Sequence, residues 1–328
     1  MKSPSPLLPG TLIIGALALG AASMAPAQDT ASEKAARVAP YTVVETGRGF
    51  VRLQDAVNAI GAGTGTIRFA SMRFADCAVQ KAGNITYRAA VPGQSILDGV
   101  PCQDKAALVL AGRSARVEGM VFANQHVSDY NGAGIRLERG DLAVTQSWFR
   151  DSQQGILANA DPEASITIDK STFTRLGTCE GSGGCAHSIY IGNFASLTVS
   201  RSRFEKGTGG HYVKHRGARV AILDNSFDDT GGHETNYMID LPNGSTGRIA
   251  GNWFVQGASK DNRSAFIVVG ANDGQHPSDG LTIEDNDARF APGVHWTSNF
   301  VVDFTNSKLV LRSNRLAAGL KPLDRRSN

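Results

Sequence analysis

The sequence predicts an all-β chain built as a solenoid, a stack of coils made from short strands. Three observations carry this: a repeated strand ending in an aromatic residue, a polar residue fixed two positions before it, and no helical pattern between repeats. The repeated segments are ARVEGMVF ending at Phe122, LAVTQSWF at Phe149, ITIDKSTF at Phe173, LTVSRSRF at Phe204, VAILDNSF at Phe227 and RIAGNWF at Phe254. Steps between them run from 23 to 31 residues, and LTIEDNDA and LVLRSNRL continue the series in degraded form. Ser147, Ser171, Ser202, Asn225, Asn252, Asn286 and Asn314 all stand two positions before the closing residue. A unit this short cannot bury its apolar face alone, so it must stack on its neighbours. Serine or asparagine at an inward turn then hydrogen-bonds its equivalents above and below, while the phenylalanines stack inside. The Leu-x-x-Leu-x-Leu pattern of a leucine-rich horseshoe is missing, and an ordinary β-sandwich would not keep one ladder in phase so long.

The chain opens MKSPSPLLPGTLIIGALALGAASMAPAQD, with one lysine, an apolar run from Leu12 to Leu19 and small residues ending Ala-Pro-Ala. That layout reads as a secretory signal peptide over residues 1–27. The run is too short for a membrane span and no other segment approaches one. The expectation is a periplasmic or secreted monomer with no span once the signal is cleaved. Residues 28–47 read as an N-terminal extension, 48–316 as the solenoid and 317–328 as a polar, frayed tail. In GFVRLQDAVNAIG, Leu53, Ala56, Val57 and Ile60 fall at helical spacing. A short helix there covers the first coil and hides the end of the apolar stack.

Four cysteines in an exported chain favour disulfides over zinc. Cys179 and Cys185 lie in the flexible stretch GTCEGSGGC, which lets them pair and leaves Cys77 and Cys102 for a second bridge. Spacing alone permits three connectivities. The formal charge of +3 on 328 residues is too mild to point to nucleic acid.

The helix followed by GTGTIRFA, together with the Asn-x-aromatic ladder, resembles the right-handed parallel β-helix proteins of the pectate-lyase-like superfamily across residues 48 to 316. More narrowly, GGHYVKHRGARV and NYMIDLPNGSTGRIAGNWFVQG look like a group of exported bacterial β-helix proteins that read Gly-His-x-x-Lys-Ser-Arg. Gly210, His211, Lys214, Arg216, Pro242, Asn243, Gly244, Gly251 and Asn252 match, and His215 departs from the usual serine. The resemblance implies a right-handed parallel β-helix with a long groove along one sheet, suited to a polysaccharide.

Strand alternation sorts the residues of that groove. Around Val213, it turns Tyr212, Lys214 and Arg216 outward and His215 inward or to a corner. One coil earlier Ile189 and Ile191 point in and Tyr190 out. One coil later Tyr237, Ile239 and Leu241 point in and Asp240 out. Arg136 and Glu138 occupy the corresponding outer face nearer the N-terminus, while His187 and His211 stack one coil apart. β-Elimination from a uronic acid needs positive charge at the carboxylate, a base for the C5 proton and an acid for the leaving oxygen. Lys214, Arg216, Tyr190 and His211 are the candidate catalytic residues, with Arg136, Glu138, His187, Tyr212 and Asp240 as candidate substrate contacts. Two alternatives accompany this lyase reading. One is a glycan-binding or envelope protein without activity. The other is a glycoside hydrolase using Asp228, Asp229, Glu234 or Asp240. No cofactor is predicted; a calcium ion could sit on these carboxylates, but no regular oxygen-ligand loop is visible.

Overall fold

Backbone hydrogen bonds run between coils rather than along the chain. The structure, a computed structural model, describes residues 39–327 apart from 182 and 273. The proposed signal peptide therefore lies outside the described residues. From Thr64 onward each strand pairs in parallel with its equivalents in the neighbouring coils, giving three sheets of 10 such strands, the first extended to 12 by two antiparallel strands before Thr64. A representative coil runs Asp141–Thr145 in the first sheet, Trp148–Ser152 in the second and Gln154–Ala158 in the third. This is the expected right-handed parallel β-helix. Among the described residues no helix is long and apolar enough to cross a membrane.

The two ladders seen in the sequence hold the coils in register. Phe122, Phe149, Phe173, Phe204, Phe227 and Phe254 stack face to face, neighbouring ring centres 4.8–4.9 Å apart. That matches the inter-strand spacing of a sheet, so each ring covers the next without displacing backbone. The polar ladder forms the corner between the first and second sheets. The backbone N–H of Ser147 donates to Ser171 Oγ, Ser171 to Ser202, Ser202 to Asn225, Asn225 to Asn252, Asn252 to Asn286 and Asn286 to Asn314. The preceding residue has positive φ in each of these coils, non-glycine at Gln146, Lys170, Arg201, Asp224, Asp285 and Ser313. Left-handed backbone costs such residues about 1–2 kcal/mol. The buried hydrogen bond made by the very next residue offsets it.

The first coil is closed as expected by the helix Leu53–Ile60, which buries Leu53, Ala56 and Val57 against it. Asp76 Oδ2 accepts the Leu53 N–H at 2.8 Å, satisfying one of the free donors at the helix start. Disulfides join Cys77 to Cys102 and Cys179 to Cys185. Two boundaries differ from expectation. Tyr41–Val43, assigned above to the extension, pairs antiparallel with Thr64–Phe69 and buries Tyr41 against Phe69 and Phe74. Leu320–Arg325, expected to fray, pairs in parallel with Ser298–Asp303 as the last strand of the third sheet, since Leu320 and Leu323 still pack on the core.

Asn252 accepts from Asn225 N and Nδ2 and donates to Ile222 O and Asn286 Oδ1. Asn252→Ala strands the Asn225 N–H in the interior and is expected to destabilise the protein by about 1–3 kcal/mol. Thermal unfolding followed by circular dichroism checks this, and an unchanged transition would count against the ladder.

Candidate functional site

Parallel pairing carries one residue from each third-sheet strand into a single outer row. Arg136, Leu157, Tyr190, Lys214, Asp240 and Val268 follow one another coil by coil. The flanking residues, aliphatic except for His215, point inward, which fixes the outward direction of this row. Around its middle opens a cleft of about 600 Å³, lined by His187, Tyr190, His211, Lys214, Arg216 and Asn236, by Ser128–Asn131, and by Gly183, Gly184 and Cys185.

Both cations of the cleft are held. The Arg216 guanidinium donates through Nε to Tyr190 Oη at 2.8 Å and through Nη1 to Asn243 Oδ1 at 2.7 Å. Lys214 Nζ stands 3.5 Å from Asp240 Oδ2 and 5.3 Å from the centre of the Tyr190 ring. Asp240 is 4% exposed, and burial raises its pKa while the Lys214 charge opposes that shift. His211 Nε2 approaches the same carboxylate oxygen at 3.3 Å, and its ring stacks between His187 and Tyr237.

Both histidines are neutral near pH 7. Burial, with the nearby charges of Lys214 and Arg216, pushes His187 down to about 3. Burial likewise holds His211 well below the usual histidine range. His187 Nδ1 accepts the backbone N–H of His211 at 2.9 Å. Its single proton therefore sits on Nε2, as a donor. Two cations, a phenol and a neutral imidazole donor can together take up an anion and pass a proton.

Five expected residues meet here: His187, Tyr190, His211, Lys214 and Arg216, with Asp240 buried beside Lys214 and His211. Arg136 and Glu138 do not join them. Glu138 accepts from Lys105 at 2.7 Å, and both residues are hydrogen-bonded to Asn159. Burial works against the Glu138 carboxylate, yet the Lys105 hydrogen bond and the Arg136 charge hold its pKa below normal. Neither residue lines the cleft.

Tyr212 corrects the alternation argument. It is 1% exposed, packs on Phe204 and Phe227, and donates to Asp229 Oδ1 at 2.8 Å. Alternation starts only with the strand at Val213; in the corner before it, two consecutive residues turn inward. The same happens one coil later, where Met238 takes the interior place and Tyr237, expected inside, packs on the outer face with Val268 and Val302.

Of the carboxylates suggested for hydrolysis, Asp240 lies beneath the cleft beside Lys214 and His211, while Asp228 and Asp229 are occupied elsewhere. Asp229 is fully buried and receives Tyr212, Thr235, the Gly257 N–H and Lys260, the last at 3.1 Å. Asp228 lies on the second sheet, 3.6 Å from Arg203. Sequence reasoning passed over Asn236 and Ser128–Asn131. The SDYN stretch sits in a segment between Met120–Ala123 and Ala133–Leu137 that fits no strand pattern, and such insertions are where binding residues concentrate.

No family model matches the chain, and no curated protein matches it. Two solved structures share its fold. One is ORF18 of Geobacillus virus E2, at 14% identity and a TM-score of 0.56, covering 83% of this chain and 56% of its own. The other is the PL6 family alginate lyase AlyGC, at 15% identity and a TM-score of 0.52, covering 81% of this chain and 39% of its own. The chain thus spans about half the length of these proteins or less, and the likeness is one of fold.

Two predictions follow from the buried charges. Lys260→Met removes the cation 3.1 Å from buried Asp229, which is expected to cost about 3–5 kcal/mol in chemical denaturation. His215 is fully buried, its Nε2 3.1 Å from Arg219 O, and burial lowers it to about 4. An unfolded histidine titrates near about 6.5, so between those values the unfolded chain binds more protons. The contribution of His187 and His215 is complete above the unfolded value and lost as pH falls through the folded ones. Melting temperature is expected to drop between about pH 6.5 and 4, and His215→Gln to drop less steeply.

Proposed function

We propose that the cleft binds an acidic, uronate-containing glycan and cleaves it by β-elimination. The observation that carries this is the convergence of Lys214, Arg216 and Tyr190, with Arg216 donating to the phenol oxygen at 2.8 Å. Lys214, ion-paired with Asp240, supplies positive charge to the substrate carboxylate. Arg216 uses two of its five N–H donors on Tyr190 and Asn243, which leaves three for the same anion. Tyr190 handles the proton. Its oxygen, in the phenolate form that the step requires and facing the Arg216 Nε–H, takes the C5 proton; the C5–C4 double bond forms as the C4–O bond breaks. The phenol then returns a proton to the departing oxygen. His187 Nε2–H donates to a sugar hydroxyl.

Among the described residues no group of three His, Cys, Asp or Glu is placed to hold a metal ion, and Lys214 and Arg216 are assigned the carboxylate. The two disulfides and the fold shared with a lyase support a periplasmic or secreted setting. A second reading, glycan binding without cleavage, draws on the fact that every cation of the cleft already has a partner.

Incubation with a panel of uronate polymers is expected to give an unsaturated product absorbing at about 230–235 nm, with Tyr190→Phe and Lys214→Ala slower by roughly 100-fold or more. New reducing ends without absorbance would replace elimination by hydrolysis. Binding without product on the whole panel would leave the second reading.

A further inference from the structure

We infer that the cleft is closed toward the C-terminal coils, so that its occupant is a chain end or short oligosaccharide rather than the middle of a long polymer. This rests on the cleft being an acidic-glycan site and adds how much of the glycan it holds.

In an open β-helix groove the outer row of one sheet would stay accessible along many coils. Here accessibility stops abruptly. After Tyr190 and Lys214, both partly exposed, the row continues as Asp240, Val268 and Val302, which are 4%, 1% and 1% exposed. Side chains packed over the row bury it. Tyr237 and Phe304 cover Ala265, Val268 and Val302 as a separate apolar cluster. Tyr237 is fixed in that position: Asn262 Nδ2 donates to its Oη at 2.7 Å, and its ring stacks on His211 at 5.3 Å. Asn236, at the cleft margin, donates to Asp261 at 2.7 Å. This wall is hydrogen-bonded and stacked, and the next polar residue of the row beyond it is Asp324, three coils past Asp240.

Toward the N-terminus the next row residue, Leu157, is 8% exposed and belongs to an apolar cluster with Val109 and Ala133, against which Tyr190 packs. The uninterrupted accessible stretch of the row is therefore two coils long, about 10 Å at the spacing of paired strands, with partly exposed Arg136 lying beyond Leu157. The cleft volume of about 600 Å³ lies in the range of pockets that enclose a small molecule. Both measures fit a segment of one or two sugar rings. A polymer running along the coil axis meets the Tyr237 wall, so the ring beside it must be terminal.

The test uses the full chain and uronate oligomers of defined length. Calorimetric titration of Tyr190→Phe, which leaves the titrant intact, is expected to show affinity rising from monomer to dimer or trimer. Beyond that it should change by less than about twofold. With the wild-type protein and polymer, products of one or two sugars are expected from the first time point, with viscosity falling slowly. Affinity that keeps rising to the hexamer, or an early collapse of viscosity with fragments of mixed length, overturns the inference while leaving elimination intact. A plateau in affinity without any unsaturated product supports the closed cleft and removes the lyase reading instead. No binding of any oligomer overturns both.

Discussion

A hydrogen bond between neighbouring coils, from a backbone N–H to a serine or asparagine oxygen, is the constraint on which this structure depends. It sits at a corner where the chain leaves the first sheet for the second, and where that N–H points into the protein. Without an acceptor, each coil would bury an unpaired donor, which is expensive in a medium of low polarity. The side chain from the next coil supplies the acceptor, so each turn is satisfied only by having a neighbour in register. Once that corner is set, the aromatic ring two residues later falls directly over its counterpart, and the flanking strands begin at the same height. Loops elsewhere can then vary in length, as the segment carrying Cys179 and Cys185 does, without shifting the coils.

The same corner explains which parts of the molecule were legible in the sequence. The Phe and Ser/Asn positions announced themselves because stacking forces like residues into like places. Inside strands, alternation correctly placed Ile189, Tyr190, Ile191, Lys214 and His215. It failed at Tyr212 and Tyr237, one or two residues before a strand, where backbone direction is set by the corner and not by the pleat. One tyrosine became an interior anchor for Asp229 and the other an outer wall. Arg136 and Glu138 were placed on the correct face, but nothing in the sequence reveals that Lys105 and Asn159 engage them.

Electrostatics within the cleft follow from how unevenly it is solvated. Lys214 and Arg216 keep a partly exposed surface, whereas His187, His211 and Asp240 lie beneath it. Burial removes charge from the imidazoles, and the cations above reinforce this, so positive charge is concentrated in the two side chains that reach the opening. Asp240 limits how far Lys214 can swing, and Asn243 and Tyr190 do the same for Arg216. The result is a stationary pair of cations over two neutral imidazoles and one buried carboxylate, an arrangement that needs little reorganisation to receive an anion.

The two ends of the coil stack are unequal, and that gives the molecule a direction. At the N-terminal end a helix covers the first coil, and the Cys77–Cys102 bridge ties that coil to the next across 25 residues of chain. At the other end Leu309, Leu311, Leu316, Leu320 and Leu323 are only partly buried, and the last strands pair on one side alone. In a one-dimensional stack, stability is lost most easily from a terminal unit whose interface is half made. Among the described coils the last is the least enclosed, and the Tyr237 wall stands between it and Lys214.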